Sequence, residues 1–465
     1  MTAVNNKTKI VGTLVPISAL RSNQQSEKDW GTFETGLYFL DWLHKTNQSA
    51  WQLLPLHETQ LEKDSATIHV PSPYKGYGIG LDPEYLSQKS KIKNQKSKEI
   101  DIFIRQNKDW IEDYAFFCAL RDHFGTDNWV LWESGLRKRD QAALTKWRIK
   151  LEKEINNHIF TQWQLHESYK ELRAKAHKFG IALMGDLPFY LSVNSPLVWA
   201  HQELFQIPKS GKLRFVSGCP DTPAAHFGRQ VWGHPLYNWD SEHRSDLISF
   251  WKLRLGYLSK LYDSVRFDHA KALFEYGKID LKNKYQDKYV KGPGQSVFEE
   301  LMIFGKKSGL SMYAEDSGEN LKMLRIYLKK FKTPGIKIFR FALNEKKKKL
   351  NKEYALLSNY PQNTVAYTTT HDTEPLLGYL NRLTVSEKKL LSLTTGVKYS
   401  RDDKEFAQAI IKAVIASPAH IVIVQLQDWI LTTDRINIPG TEKEVGDLNW
   451  RYKLKIPIEE LPDSI

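Results

Sequence analysis

The chain has 465 residues, of which 41% are hydrophobic and 26% are charged, and this composition excludes a disordered chain, a collagen or a disulfide scaffold. The formal net charge is +13, but the lysine-rich runs do not interleave with aromatic residues, so we expect no nucleic-acid partner. The sequence has no run of about 18 apolar residues, no signal-peptide pattern and only two cysteines, Cys118 and Cys219, so we expect a cytoplasmic protein without a membrane anchor.

Eight short apolar segments of β-type residues recur along the chain, and a helix-type pattern follows most of them. Apolar residues from Phe33 to Leu43 recur at helical spacing after the first segment, and Ser296 with Glu299 predicts a capping box that opens the helix after the fourth. The eight segments are Ile10 to Pro16, Ala50 to Pro55, Ile181 to Leu187, Ser264 to Asp268, Leu310 to Glu315, Ile336 to Phe341, Val365 to Thr370 and Ile421 to Leu426.

Strands that alternate with helices predict right-handed βαβ units, and eight units predict a closed (β/α)₈ TIM barrel of the α/β class. The alternative is an open doubly wound sheet, but Gly76-Tyr-Gly78-Ile-Gly80 does not match its phosphate-binding glycine pattern. The uneven spacing of the segments predicts one catalytic domain, residues 1–465, with a mostly helical insertion at 57–180 and an irregular substrate-loop insertion at 188–245. Because the chain ends soon after the eighth segment, we expect no separate C-terminal β-sandwich domain.

Carboxylates follow four of the predicted strands, and the carboxyl ends of the strands form the active-site face of a parallel barrel. Asp186 lies in the third segment, Asp268 ends the fourth, Glu315 ends the fifth and Asp372 follows the seventh. One such acid is ordinarily an N-cap or part of a loop salt bridge. Four on one face predict a shared chemical role.

Clustered carboxylates without a metal are typical of glycoside cleavage, in which one attacks the anomeric carbon and a protonated one donates to the departing oxygen. Mutual repulsion of the carboxylates is expected to keep the acid protonated near neutral pH. A Mg²⁺ or Ca²⁺ site is the alternative, but the sequence has no phosphate-binding loop, H-E-x-x-H motif or Cys/His pairing, and no G-x-S-x-G motif for a serine nucleophile. We therefore expect no metal and no cofactor.

Short motifs in a fixed order carry a resemblance that runs nearly end to end. Examples are Trp51-Gln-Leu-Leu-Pro-Leu56, Gly185-Asp-Leu-Pro-Phe-Tyr190 and Trp232-Gly-His-Pro-Leu-Tyr237. With these motifs the chain resembles the 4-α-glucanotransferases of the amylomaltase, or disproportionating-enzyme, type. The other matching segments are 12–18, 72–74, 424–428, 435–441 and 449–451, together with the three that contain Asp268, Glu315 and Asp372.

The resemblance implies roles for the three acids. Asp268 would be the nucleophile, Glu315 the general acid and base, and Asp372 the residue that holds the sugar hydroxyls and stabilises the transition state. The activity implied is transfer of α-1,4-glucan segments between maltodextrins by a retaining double displacement, without a cofactor. The alternatives are an α-amylase-type retaining hydrolase and a basic binding protein that has lost activity.

The resemblance also implies substrate-binding residues. Arg266 and His371 would line the subsite of the sugar under attack, Asp186 would contact the sugar, and Tyr74 would be a ring platform. From the residues alone, Arg266 is equally a packing ion pair, His371 a cap and Tyr74 a core ring. The maltooligosaccharide substrates are the only partners expected, and we expect a monomer.

Two segments depart from the family pattern. Leu81-Asp82-Pro83 replaces the usual Gly-Asn-Pro, and the aromatic loop that normally covers the cleft becomes Pro223 to Gln230. We expect Phe227 in this loop and Trp232 beyond it to cover the acceptor side, with His226 or Arg229 adding polar contacts.

Overall fold

The computed structural model describes residues 9–26, 28–63, 65–88, 97–221, 228–239, 242–344, 349–441 and 449–463. Within these residues the chain forms fourteen strands and fifteen α-helices. The strands are β1 (Ile10–Leu14), β2 (Ala50–Gln52), β3 (Ala182–Leu187), β4 (Phe215–Cys219), β5 (Gln230–Val231), β6 (Ser264–Phe267), β7 (Glu275–Asp280), β8 (Lys288–Lys291), β9 (Ser311–Ala314), β10 (Gly335–Ile338), β11 (Leu343–Asn344), β12 (Lys349–Leu350), β13 (Thr364–Tyr367) and β14 (Ile421–Gln425). The helices are α1 (Phe33–Lys45), α2 (Ser97–Gln106), α3 (Ile111–Phe124), α4 (Ser134–Arg137), α5 (Gln141–Lys150), α6 (Glu152–Lys178), α7 (Pro196–Ala200), α8 (Arg244–Leu261), α9 (Gln295–Lys307), α10 (Lys322–Phe331), α11 (Lys352–Ala355), α12 (Leu376–Arg382), α13 (Val385–Thr395), α14 (Asp403–Ala416) and α15 (Leu426–Trp429).

Eight parallel strands form the central sheet in the order β10-β13-β14-β1-β2-β3-β6-β9. The backbone amide of Ala314 in β9 donates to the carbonyl of Pro334, just before β10, at 2.9 Å, and so brings the two ends of the sheet together. Each strand lies within one of the eight predicted segments or starts one residue from it. The predicted (β/α)₈ barrel is therefore confirmed.

The barrel interior is apolar at its base and polar towards its active-site face. The Tyr367 hydroxyl in β13 donates to the Gln52 side chain in β2 at 2.7 Å, across the interior. This pair lies at the carboxyl ends of the strands, where a polar layer supports the residues above it. The buried hydrophobic residues that pack together in this part of the barrel are Leu14, Ala50, Leu54, Met184, Tyr313, Ile336, Ile338, Val365, Tyr367, Ile423 and Ile436.

Helices α2 to α6 lie between β2 and β3, and α6 also serves as an outer helix of the barrel. Lys175 near the end of α6 donates to the Leu37 carbonyl of α1 at 2.9 Å and pairs with Asp41 at 2.7 Å. Tyr169 of α6 donates to the Leu261 carbonyl at the end of α8 at 3.0 Å. The segment before β3 is thus tied to the barrel on two sides.

Helix α9 begins one residue before the predicted capping box, and that prediction is wrong. Gly294, with φ 81°, is the N-cap residue and makes no side-chain cap. Ser296 already lies inside the helix, where its hydroxyl accepts from Arg244 at 3.0 Å. A glycine in the left-handed region reverses the chain here without a capping side chain.

A four-stranded antiparallel sheet, in the order β5-β4-β7-β8, joins residues from two loops that follow barrel strands. Strands β4 and β5 belong to the segment 188–245, which also contains α7, so this segment has regular elements as well as loops. The backbone amide of Trp232 donates to the Ser217 carbonyl of β4 at 3.0 Å. The sheet therefore fixes the position of Trp232. None of the helices in the described ranges is both long and apolar enough to cross a membrane.

Asp82 is a buried acid at the position where the 4-α-glucanotransferases that the sequence resembles usually carry Asn. Its side chain caps the short helix at Pro83–Tyr85 by accepting from the Glu84 amide at 3.0 Å. Burial, supported by the charge of Glu58, raises the pKa of Asp82 to about 8. At neutral pH the acid is therefore protonated and takes the place of an amide.

Replacing Asp82 by asparagine is expected to stabilise the protein at alkaline pH. The pKa of Asp82 is higher in the folded state than in the unfolded state. The contribution of Asp82 to the free energy of unfolding is therefore fully present below the unfolded pKa of about 4 and is lost as pH rises towards 8. The asparagine side chain keeps the capping oxygen and cannot ionise, so the free energy of unfolding at pH 8 should rise by about 2 kcal/mol or more. Thermal melts at pH 5 and pH 8 measure the difference. The matched control is Glu171→Gln, an exposed acid of α6; if Asp82→Asn shows no larger alkaline gain than this control, the protonated state is refuted.

Candidate active site

The predicted site residues lie at the carboxyl ends of neighbouring barrel strands. Asp186 in β3 is the register partner of Arg266 in β6, and Asp268 follows β6 directly. The Asp268 amide donates to the Leu187 carbonyl of β3, and the Glu315 amide donates to the Phe267 carbonyl of β6, each at 3.1 Å. The sheet hydrogen bonds thus continue past the strand ends and hold these acids at one face.

Arg266 connects three carboxylates through its guanidinium. Its Nη1 atom lies 2.8 Å from Asp186 Oδ2 and 2.9 Å from Asp268 Oδ1, and its Nη2 atom lies 2.9 Å from Glu315 Oε2. Burial lowers the pKa of Arg266, but Asp186, Glu315 and Asp268 together hold it well above its ordinary value. The guanidinium is therefore a fixed cation that sets the orientation of both acids predicted to react.

The two acids remain accessible to a ligand. The side chains of Asp268 and Glu315 are 20% and 23% exposed, whereas those of Arg266 and Asp186 are 6% and 0% exposed. The side chains that the sequence predicts to react are thus partly exposed, and the groups that orient them are buried.

Tyr74, His371 and Asp372 form a second set of contacts beside the guanidinium. The Tyr74 hydroxyl donates to Asp186 Oδ2 at 2.7 Å and lies 2.8 Å from His371 Nε2. The Tyr74 hydroxyl has one hydrogen, which it donates to Asp186, so it accepts from His371. We therefore assign Nε2 as the protonated ring nitrogen of His371; it also lies 3.1 Å from Asp372 Oδ2 and donates to it. The Tyr74 ring stacks on His371, with centroids 5.7 Å apart, and also contacts Trp450 at 5.3 Å.

The ionisation of Asp268 and Glu315 differs from the sequence-based expectation. Burial, opposed by Arg266 and supported by Asp186, Glu315 and Asp372, raises the pKa of Asp268 well above its ordinary value. Burial alone would raise the pKa of Glu315, but Arg266 and the His269 backbone amide, 2.9 Å from Oε2, hold it below its ordinary value. The pKa values of the two acids are therefore shifted in opposite directions, and the cation and the amide both favour the charged form of Glu315.

Asp372 is held as a carboxylate. Burial would raise its pKa, but His371, Arg266 and the Asn437 amide, which donates to Oδ1 at 2.8 Å, lower it well below its ordinary value. The surroundings of Asp372 therefore favour its charged form.

Trp232 packs against His269, the residue that directly follows the predicted nucleophile. Its ring stands at 89° to the His269 ring, with centroids 4.8 Å apart, and the His269 amide is the donor to Glu315. Arg229 pairs with Asp287 at 2.6 Å and so is directed away from a role in the cleft. Phe227 and His226 lie outside the described residues.

Several groups in the site had no assigned role in the sequence. Asn437 and Trp450 belong to segments that carry the family resemblance, and Ser317 donates to Glu315 Oε1 at 3.0 Å. His269 has φ 48°, and its buried Nε2 atom has no hydrogen-bond partner among the described residues. The signal that could have found Asn437 was the motif 435–441, but nothing in that motif shows which strand end it reaches.

Within the described ranges, no group of three or more His, Cys, Asp or Glu side chains is arranged to hold a metal ion. The carboxylates at the barrel face are instead engaged by Arg266, amides and hydroxyls. The chemistry available to this arrangement is therefore proton transfer and nucleophilic attack by the acids themselves.

Comparison with known proteins matches the chain as a whole to one family. The family model described as 4-alpha-glucanotransferase matches residues 15–89 and 81–458. A 4-alpha-glucanotransferase of Thermus thermophilus is 31% identical over 386 residues, covering 81% of this chain and 74% of the relative. One of Aquifex aeolicus is 29% identical over 452 residues, covering 90% of both chains.

Solved structures show the same fold. Amylomaltase from Streptococcus agalactiae, solved in complex with acarbose, superposes with a TM-score of 0.82 at 25% identity and covers 96% of this chain and 95% of its own. Amylomaltase from Corynebacterium glutamicum gives a TM-score of 0.74 at 15% identity, covering 97% of this chain and 73% of its own.

Proposed function

The chain belongs to the 4-alpha-glucanotransferase family, and from this premise we propose that its barrel-face cluster transfers α-1,4-glucan segments between maltodextrins by a retaining double displacement. The observation that carries the proposal is the single Arg266 guanidinium that orients Asp268 and Glu315 at once. A nucleophile and an acid held by one rigid group can act on the two sides of one glycosidic bond.

In the first half-reaction, an Asp268 oxygen attacks the anomeric carbon while the bond from that carbon to the glycosidic oxygen breaks. The Glu315 proton moves to that oxygen, and the reducing-end fragment leaves with a free 4-hydroxyl. The donor segment is then bound to Asp268 as an ester, and Glu315 is a carboxylate.

In the second half-reaction, the 4-hydroxyl of another glucan attacks the same carbon. Glu315 takes the hydroxyl proton, and the bond from the carbon to Asp268 breaks. The configuration is retained because the carbon is inverted twice. Every group returns to its starting state, so the cycle needs no cofactor.

The proton must lie on Glu315 when the first step begins, although Arg266 and the His269 amide favour the charged form of Glu315 in the free site. The two acids form a coupled pair, in which the charge of one affects the ionisation of the other. A glycosidic oxygen placed against Glu315 accepts a hydrogen bond only from the protonated form. We propose that a bound glucan therefore shifts the proton to Glu315 and weakens the contacts of this acid with Arg266 and the His269 amide.

The other site residues are proposed to hold the sugar that is attacked. His371 Nδ1 and Asp186 Oδ1 are buried and have no hydrogen-bond partner among the described residues. Their other polar atoms are already fixed by Tyr74 and Arg266. The side chain of Asp372 is 37% exposed and is therefore the group of this set that can reach the sugar hydroxyls. The charge of Asp372 stabilises the positive charge that develops on the ring.

Incubation with maltotriose tests the proposed function against its alternatives. Transfer gives glucose plus maltodextrins longer than maltotriose from the earliest time points. An α-amylase-type hydrolase gives glucose and maltose in equal amounts without longer products. No change at all would favour a binding protein without activity.

Trp232→Ala is expected to raise the ratio of hydrolysis to transfer on maltotriose by at least about threefold. The ring packs on His269, whose amide donates to Glu315, and we propose that it excludes water from the acceptor side. Glucose release and chain elongation are assayed separately. Val231→Ala, a half-exposed neighbour in the same strand pair, is the matched control. An equal fall of both activities would mean that Trp232 supports the site without governing the choice of acceptor.

We also propose that residues 1–465 act as one catalytic domain with insertions at 57–180 and 188–245, and that the protein is a cytoplasmic monomer. The ties of α6 to α1 and α8 support a single unit, and both Cys118 and Cys219 are free thiols. A single species of monomer mass in light scattering is the expected result, and a dimer would contradict it.

A further inference from the structure

Asp428 is a buried carboxylate that the proposed mechanism does not use. It lies in the short helix α15, directly after barrel strand β14, and is 1% exposed. Its Oδ2 atom accepts from the Thr368 hydroxyl at 2.5 Å and from the Thr369 hydroxyl at 2.6 Å. Its Oδ1 atom accepts from the Leu376 backbone amide at 2.6 Å. One side chain thus uses both oxygens on three donors of a neighbouring segment.

The three donors lie at the two ends of the segment that carries His371 and Asp372. Thr368 and Thr369 follow β13, and Leu376 is the first residue of α12. Between them the chain makes a tight turn, in which Thr373 donates its amide to the Thr370 carbonyl at 3.0 Å and accepts from the Thr370 amide at 2.9 Å. Asp428 therefore connects the two ends of one loop, Thr368–Thr369 and Leu376. His371 and Asp372, which are proposed to hold the sugar, lie between these ends.

This carboxylate is costly to bury. Among the described residues it has no partner that carries a positive charge within ion-pair distance. Burial raises the pKa of Asp428 to about 6, against the hydrogen bonds from Thr368, Thr369 and Leu376. A neutral side chain would avoid the cost of burial, but it would not supply two acceptor oxygens in one plane for donors on both arms.

We propose that Asp428 is a positioning residue, which sets His371 and Asp372 against the sugar by clamping both arms of the segment 368–376. The inference rests on the roles proposed above for those two residues. A clamp of this kind acts on the transition state, because Asp372 must face the developing charge within a few tenths of an ångström. Loosening the segment should therefore lower kcat and leave KM nearly unchanged, whereas a loss of folded protein lowers both activity and the number of active sites in proportion.

The experiment compares Asp428→Asn with the double variant Thr368→Val and Thr369→Val, which removes two donors and keeps the carboxylate. Each should lower kcat for transfer from maltotriose by about 100-fold, per active site counted by covalent trapping, with KM within about threefold. Thr364→Val is the matched control, since Thr364 is buried in the same strand β13 but donates to the Gly335 carbonyl at its far end. Its kcat should stay within about threefold of the parent.

A double-mutant cycle separates positioning from general support of the fold. If Asp428 acts through the position of Asp372, Asp428→Asn should cost little more than about threefold of the residual activity in an Asp372→Asn background. Losses that multiply in that background, or a fall in kcat that disappears once active sites are counted, would overturn the proposal. If the Asp372→Asn variant transferred glucan at the parent rate, both the proposed active site and this inference would be refuted. If Asp372→Asn were inactive but Asp428→Asn were fully active, only the positioning role of Asp428 would be refuted.

Discussion

Asp268→Asn is expected to lower turnover on maltotriose by at least about 10⁴-fold, because an amide does not form the glycosyl ester. The protein should fold normally and melt at the same or a higher temperature. The amide oxygen can still accept from Arg266 Nη1, and the neutral side chain removes the repulsion with Asp186, Glu315 and Asp372 that raises the pKa of Asp268. Turnover and a thermal melt on the same sample measure both effects.

The matched control is Asp263→Asn, at the opposite end of the same barrel strand, where Asp263 pairs with Arg173 and His177. This variant should keep its kcat and lose some stability, the reverse of Asp268→Asn. If Asp268→Asn kept activity within about tenfold of the parent, Asp268 could not be the residue that forms the covalent bond.

Glu315→Gln is expected to slow a glucan donor whose leaving group needs a proton much more than a donor whose leaving group needs none. With maltotriose, turnover should fall by about 10³-fold or more, since no proton reaches the departing oxygen. With α-maltosyl fluoride, formation of the covalent intermediate should survive within about tenfold, because fluoride leaves without protonation. Rapid-quench measurement of the first turnover with each donor gives the two rates.

The pH dependence of the same variant adds a second readout. In the parent, the coupled pair must hold one proton, so activity on maltotriose should be lost as pH rises and that proton leaves. Burial raises the pKa of Asp268, which places this loss above the range of an ordinary carboxyl. In Glu315→Gln the alkaline loss should be absent for the fluoride donor. An equal fall with both donors would assign Glu315 to binding rather than to proton transfer.

The barrel was predictable because its strands are continuous apolar segments, and the acids were predictable because each follows such a segment directly. The sequence order of Asp186, Asp268, Glu315 and Asp372 therefore already indicated one face. The bridging by Arg266 was not predictable in the same way, since it depends on the register that sets Asp186 against Arg266 and on the β9 end that brings Glu315 to Nη2.

Other features depend on contacts between distant segments. Asn437 reaches Asp372 across 65 positions of sequence, and Trp450 reaches Tyr74 from still farther. The direction of the Glu315 pKa follows from Arg266 and from the backbone amide of His269, and no side-chain pattern reveals that amide. The start of α9 shows the opposite limit, since Ser296 and Glu299 have the spacing of a capping box but the N-cap is Gly294, two residues before Ser296.

Covalent trapping tests the central claim most directly. A 5-fluoro-α-maltosyl fluoride donor, incubated with the protein and followed by proteolysis and mass spectrometry, should add one glycosyl group to the peptide that contains Asp268. The same treatment of Asp268→Asn should leave that peptide unlabelled. A label on another acid, or an unlabelled parent protein that still converts maltotriose with inverted configuration, would contradict the double displacement at Asp268.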